Sequence, residues 1–378
     1  MSCPDVVETT QKLVRIPSVN PGYDPASPAE RDVARWLEDW AKAHDFSVEI
    51  QEVFAHRPNV IIRFRNEADH PHLLLNGHTD TVAITEMTIP PFAADAREER
   101  IWGRGAADMK GPVACMLHAL LALREKPAQW RGTITLALVV DEEMGFQGIR
   151  DLLKGGEAYD CAIVGEPTRF EVIRGCKGCL RFWVRAHGRA AHSSTPEKGR
   201  SAISAMVLAV AALDAFFRER LTKVAHPAFG CSTGSVGLIR GGNGINIVPD
   251  FCEISVDIRL VPGQSGEETY REIQRAVTGV ADTVRWEFDP QPLIDHPFCL
   301  DEENVFVQQV CRAADRTHAG VVHFSCDASK IAKAGIPCLI FGPGDIAQAH
   351  TANESIAISD LHRGVEAYVR IAQELLKP

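Results

Sequence analysis

Within residues 29–44, apolar side chains fall at Val33, Trp36, Leu37 and Trp40, a spacing that places them on one face of a helix. Residues 59–64 (NVIIRF) then predict a strand. Residues 72–75 form a short continuous apolar run ending at Asn76-Gly77, the pattern of a buried strand with a sharp exit. A helix is predicted over 111–124, with Pro112 in its first turn, followed by buried strands at 133–140 (TITLALVV) and 161–164. Helix and strand in alternation predict an α/β layered domain.

The pattern changes in the middle of the chain. A long strand is predicted at 179–186 (CLRFWVRA), a helix at 200–218 with Ser201 as its cap, and alternating strands at 234–239 and 251–260. A helix at 267–277 and a strand at 283–288 follow. This strand–helix–strand–strand–helix–strand order suits a small ferredoxin-like α+β domain. The last third returns to α/β, with a helix over 303–318, a strand at 338–341 and a helix after Asp360. The expected organisation is therefore one α/β domain formed by 1–174 and 291–378, with an inserted α+β domain at 175–290.

Composition narrows the classes. The chain has 378 residues, 45% hydrophobic and 24% charged, enough for a large core without disulfide staples. A net charge of −10 offers no basic excess for nucleic-acid phosphates or an anionic membrane, so neither is an expected partner. The apolar run from Ala202 to Phe217 is interrupted by Asp214 and falls short of the roughly 20 residues of a membrane span. The opening MSCPDVVETT lacks the basic and apolar parts of a secretory signal. Eleven cysteines are too sparse for a disulfide scaffold, and Cys176-x-x-Cys179 has no second pair at zinc-knuckle spacing. The expectation is a cytoplasmic protein with structural, reduced cysteines.

Five segments carry the chemistry. Gly77-His78-Thr79-Asp80 leaves a buried strand; His78 is a metal ligand backed by Asp80, or a histidine in a surface loop. Asp108 precedes the helix at Gly111 and either caps it or ligates; the glycines at 103 and 105 lack the spacing of a phosphate loop. Asp141-Glu142-Glu143 follows the strand ending at Val140, and three adjacent carboxylates call for a cation or an exposed turn. Glu166, in Gly-Glu-Pro-Thr, and His350, in Gln-Ala-His-Thr, also follow short apolar strands. Together these donors suit two divalent ions, zinc first, with cobalt or manganese as alternatives. Two such ions about 3.5–4 Å apart need a bridging carboxylate and a bridging water.

The five motifs, in this order and across essentially the whole chain, resemble the cocatalytic metallopeptidase and deacylase family. That family includes acetylornithine deacetylase, succinyl-diaminopimelate desuccinylase, aminoacylase and glutamate carboxypeptidase. The resemblance implies a zinc-exopeptidase-like catalytic domain with an inserted lid and dimerisation domain. It implies that Asp108 bridges two metals, that His78 and Glu166 complete one site, and that Glu143 and His350 complete the other. Glu142 would be the general base and Asp80 would sit behind His78. In the lid, Ala191-His192-Ser193-Ser194 resembles the motif whose histidine stabilises the oxyanion, usually from the other subunit of a homodimer. Asn246 and Arg259 match substrate-contacting positions, and Lys177 lies near a hinge where it can meet a carboxylate. Lys177 and Arg259 also fit plain surface charges.

Glu at position 166 goes with the deacylases of the family, and the segment 342–350 resembles acetylornithine deacetylases. Ser325-Cys326-Asp327-Ala328 departs from both the deacetylase and the desuccinylase versions of its loop. The expected activity is hydrolysis of an N-acyl amino acid, N-acetyl-L-ornithine first, with desuccinylase or broad aminoacylase activity as alternatives. A catalytically dead scaffold would lack a ligand or the base, and none is missing.

Overall fold

The structure, a computed structural model, describes residues 5–378; the first four positions of the N-terminal segment, Cys3 among them, lie outside the described residues. The chain divides into two compact units. One comprises the residues up to Gly175 together with Leu300–Gly320 and Cys326–Pro378, the other Cys176–Cys299 with Val321–Ser325. The second unit runs on past position 290 because Leu293–Asp295 pairs antiparallel with Gly178–His187 and extends its sheet.

In the first unit the sheet is built in the order Ser47–Phe54, Arg57–Asn66, Gly132–Val139, His72–His78, Cys161–Val164, Cys338–Ile340 and Ile173–Cys176. The strand pairs inside it from Gly132–Val139 to Cys338–Ile340 are parallel. His72–His78 and Gly132–Val139 are buried at every position, which explains their unbroken apolar sequences: helices and loops cover both faces. Leu73, Leu75, Ile134, Leu136 and Leu138 join a core with the helices Val6–Arg15, Arg31–Ala43, Gly111–Arg124, Val305–Ala313 and Ile358–Leu375. The segment Ala106–Arg124 is long and apolar enough to cross a membrane, but 89% of its apolar window is buried in the domain. It is the helix expected over 111–124, and it packs inside the core.

The second unit is a smaller α+β domain. Its sheet order is Thr233–Gly241, Phe251–Leu260, Gly178–His187 and Arg285–Phe288, each neighbour antiparallel. Numbered along the chain this is second, third, first, fourth, the ferredoxin-like arrangement. Cys252, Ile254, Val256, Ile258 and Leu260 alternate into the core beneath the helices Ala202–Glu219 and Gly266–Thr278. Ser201 and Ser265 cap those helices by accepting the N–H groups of Ser204 and Glu268.

Several boundaries differ from expectation for local reasons. The helix expected over 303–318 is Val305–Ala313 and stops before Asp315, whose φ of 55° leaves the helical region. The edge strand Ser47–Phe54 escaped notice because it is partly exposed and carries glutamates at 49 and 52. Cys176 and Cys179 are both buried, and the ten cysteines within the described residues are thiols.

Candidate metal centre

The parallel register brings the motif-bearing turns together. His78 lies opposite Val139, Asn76 opposite Val164, and Val164 opposite Ile340, so these strands end on one edge of the sheet. His78 ends the first, Asp141-Glu142-Glu143 and Glu166 follow the next two, and His350 lies on the loop after the fourth. This is the carboxyl edge, where open α/β sheets place their ligands. Asp108 enters from the turn ahead of the helix Gly111–Arg124.

Ligand atoms of His78, Asp108 and Glu166 lie within 4.8 Å of one another, and so do those of Asp108, Glu143 and His350. Asp108 is common to both groups. Its Oδ1 is 3.0 Å from His78 Nε2 and its Oδ2 is 3.5 Å from His350 Nε2, one oxygen toward each ring. His350 Nε2 also lies 3.1 Å from Glu143 Oε2. A third group of the same kind joins His78, Glu142 and Glu143. His78, Asp108, Glu142 and Glu166 are buried, whereas the His350 side chain is 55% exposed and marks the open side.

The electrostatics show a surplus of buried carboxylates. Burial raises Glu142 well above the ordinary glutamate value, and the charges of Glu166 and Glu143 add to it. Burial, then the charge of Asp108, pushes Glu166 up to about 8. Burial also pushes Asp327 up to about 7, against the opposing charges of Lys330 and His78. Burial works against Asp108 too, but His350 and His78 overcome it and hold the carboxyl below the usual range. Hydrogen bonds to Asp108 and Glu143 push His350 up to about 10. Carboxylate oxygens and imidazole nitrogens in two groups sharing one carboxylate fit a pair of divalent cations, whose charge would relieve this repulsion. His78, Asp108 and Glu166 would hold one; Asp108, Glu143 and His350 the other.

Two deeper carboxylates fix the ligand-bearing turns. His78 Nδ1 lies 2.9 Å from the backbone oxygen of Asp80 and 3.6 Å from its carboxylate, so the carbonyl, more than the carboxylate expected behind the ring, sets the tautomer that leaves Nε2 for a ligand. The Asp80 carboxylate instead accepts the backbone N–H groups of Glu142 and Glu143, both at 3.1 Å, and Asn20 Nδ2 at 2.8 Å. Glu354 does the same for the other turn. It accepts the N–H groups of Ala107 (2.9 Å), Asp108 (3.0 Å) and Gly105 (3.1 Å), and pairs with Arg104 at 2.7 Å. Asn20 and Arg104 went unrecognised in the sequence, where neither belongs to a metal-site motif.

The second unit holds the remaining expected residues. His192 is exposed on a two-residue strand paired with Ile247-Val248, and its Nδ1 lies 2.7 Å from Ser194 Oγ. Ser193 donates its N–H to the Asn246 carbonyl at 3.0 Å, which brings the His192 and Asn246 segments together. Arg259 lies on the partly exposed face of the sheet and is tied to Asp257, Nε to Oδ1 at 2.8 Å. Lys177 is no surface charge: it is 4% exposed, its Nζ donates to the Cys231 carbonyl at 2.8 Å, and burial lowers its pKa.

Comparison with known proteins decides the family. The model described as peptidase family M20/M25/M40 matches residues 74–374. The chain belongs to this family. An acetylornithine deacetylase from Proteus mirabilis is 31% identical, over 93% of this chain and 92% of the relative. N-formyl-4-amino-5-aminomethyl-2-methylpyrimidine deformylase from Bacillus subtilis is 26% identical, over 94% of this chain and 92% of the relative. The crystal structure of an M20 family metallo-carboxypeptidase from Sulfolobus solfataricus superimposes with a TM-score of 0.82 at 18% identity, covering 99% of each chain, and shows the shared fold. This M20 chain is accordingly a metal-dependent hydrolase with a candidate dinuclear centre, related to enzymes of the acetylornithine deacetylase type.

Proposed function

We propose that the protein hydrolyses the amide bond of an N-acylated amino acid, with N-acetyl-L-ornithine as the first substrate to test and zinc as the metal. The observation that carries the reading is Asp108 shared by two ligand groups, with Glu142 beside His78 and Glu143. Glu at position 166 and two relatives whose names denote removal of an acyl group favour deacylation over peptide cleavage.

Two bound divalent ions would polarise the scissile carbonyl and acidify the attacking water. Glu142 takes a proton from that water as its oxygen adds to the amide carbon. It returns the proton to the nitrogen as the C–N bond breaks, giving a carboxylic acid and an amine. His192 donates to the carbonyl oxygen as negative charge builds there. Asn246, Arg259 and Lys177 belong to the substrate side of the same reading.

The protein acts as a cytoplasmic homodimer in this proposal. Supporting it, the helix Ala202–Glu219 leaves Ile203, Val207 and Leu208 exposed, and the sheet-edge strand Thr233–Gly241 leaves Leu238 and Ile239 exposed. An edge strand whose outer side has no partner strand among the described residues, carrying apolar side chains beside an apolar helix face, invites a second copy. Mixing His192→Ala with Glu142→Gln protein tests whether the histidine works across subunits: activity returns on subunit exchange if it does, and stays absent if it does not.

The decisive experiment is kcat/KM for zinc-loaded enzyme on N-acetyl-ornithine, N-succinyl-diaminopimelate, N-acetyl-methionine, an N-formyl amine and a dipeptide. A preference for the first supports the specific reading. Preference for another acyl amine corrects the substrate, and cleavage of the dipeptide alone overturns deacylation.

A further inference from the structure

Behind the turn that carries Glu142 lies a set of buried polar groups that no step of the hydrolysis uses. Asn20, 1% exposed, donates from Nδ2 to Asp80 Oδ2 at 2.8 Å and to Asp141 Oδ1 at 3.1 Å. Its Oδ1 accepts the Gly22 N–H at 3.0 Å. One side-chain amide thus ties two carboxylates together, using both of its N–H donors.

Arg57 grips Glu30 with both arms of the fork, Nε to Oε2 at 2.6 Å and Nη2 to Oε1 at 2.7 Å, and reaches Asp141 Oδ1 at 3.3 Å. Glu30 Oε1 in turn accepts the Asp141 N–H at 3.2 Å. Asp141 is therefore held at its carboxylate by Asn20 and Arg57, and at its backbone by Glu30. It needs holding, because its φ of 67° lies in the left-handed region, which is unfavourable for a residue with a Cβ. Its carbonyl accepts the N–H groups of Gly145 (3.1 Å) and Phe146 (2.6 Å) and closes the turn beyond the glutamates. On the other side, Asp80 holds the N–H groups of Glu142 and Glu143.

Both backbone anchors of the turn thus lead back to three residues distant in sequence. We propose that Asn20 and the Arg57–Glu30 pair are positioning residues for the hydrolysis, acting through Asp80 and Asp141 to set the direction in which Glu142 points. The inference rests on the reading of Glu142 as the general base. Misplacing a catalytic group by about 1 Å can cost on the order of 100-fold in rate, so disturbing this turn should act on kcat with the substrate-binding surface intact.

The test compares Asn20→Asp, which keeps the size but replaces two donors with a third carboxylate oxygen, with Arg57→Met and Arg57→Lys. Lysine keeps the charge but loses the fork. Glu142→Gln, alone and combined with Asn20→Ala, completes the set. Steady-state kinetics are read beside metal content, the absorption spectrum of the cobalt-loaded protein, and hydrogen exchange at the amides of 142 and 143.

Asn20→Asp and Arg57→Met should lower kcat about 10–100-fold with KM within about threefold. They should speed exchange at those two amides, shift the cobalt spectrum and retain two metals per chain; Arg57→Lys should fall between them and wild type. The double variant should be no slower than Glu142→Gln alone. Wild-type kcat in Asn20→Asp, or a loss that multiplies in the Glu142→Gln background, overturns the inference. If Asn20→Asp does not fold, the two Arg57 variants decide by the same criteria. An active Glu142→Gln enzyme removes the base reading and the inference with it; an inactive one beside a fully active Asn20→Asp removes the inference alone.

Discussion

The two units present their candidate residues in opposite ways. In the α/β unit, His78, Asp108, Glu142 and Glu166 are buried, and the turns that carry Asp108, Glu142 and Glu143 are pinned through backbone amides by Glu354 and Asp80. In the α+β unit, His192 is exposed on a short two-stranded ribbon and Asn246 in the turn that leads into it, with Ser194 as the imidazole's side-chain partner. A buried cluster of like charges needs rigid support, since small displacements change its energy steeply. Under the proposed role, in which His192 meets the substrate only as charge develops, the ring can stay in solvent until then. The difference predicts that loosening a pinned ligand turn in the first unit, as in Glu354→Gln, changes metal affinity and stability, and that His192→Ala changes rate alone.

The largest expected effect is that of Glu142→Gln, which should lower kcat on the order of 10²–10⁴-fold while metal content, measured by elemental analysis, stays at wild type. His192→Ala should follow, with a loss of about 10²–10³-fold in kcat. Its melting temperature should match wild type, because the ring is exposed and its side-chain partner is two residues away. A large drop in melting temperature for His192→Ala would erase the contrast between the units.

Glu354→Gln comes next. It keeps the shape of the side chain but weakens its bonds to the amides of 105, 107 and 108, and leaves Arg104 without its carboxylate. Metal affinity by calorimetry should fall about 10–100-fold. Stability should fall by about 1–3 kcal/mol, seen as a lower denaturant midpoint.

The smallest effect is a pH slope in the metal-free protein. Glu166, at about 8 rather than 4.5, and His350, at about 10 rather than 6.5, hold protons in the folded state that the unfolded chain gives up earlier. Stability from these groups is full below their unfolded values and is lost as pH rises through the folded ones. Asp108 has the opposite sign, but its contribution fades only in acid, below its ordinary 3.8. The melting temperature of the chelated protein should therefore fall between pH 5 and pH 9. Added zinc should flatten the slope, because it binds the deprotonated ligands and so stabilises the fold more as pH rises. A flat profile without metal would show that the buried carboxylates are relieved in another way.

Much of the candidate metal centre was legible in the sequence because its chemistry sits where patterns change. Each of His78, Glu142, Glu143 and Glu166 lies at or just after an apolar strand, and strand ends are visible as breaks in hydropathy. Asp80 was legible as a support because it stands two residues from His78, but the residues behind it were not. Asn20 belongs to a loop after the first helix, Glu30 directly precedes a helix, and Arg57 begins a strand; each looks like an ordinary polar residue in its local setting. The burial of Lys177 was not legible for a related reason. A lysine beside a glycine gives no sign that its ammonium will be buried against the Cys231 carbonyl.

The sequence by itself determined the two fold types, through the change of periodicity near residue 178 and the strand–helix order that follows. It also determined the donor set, because only His, Asp and Glu side chains can supply those ligand atoms. The tertiary structure decided which donors meet. Parallel register aligns the ends of strands far apart in the chain, and Asp108 comes to stand between His78 and His350 only when those ends coincide. It also decided which polar residues are buried, and therefore which hold the turns. Burial depends on neighbours contributed by the whole fold, and local sequence carries no record of them.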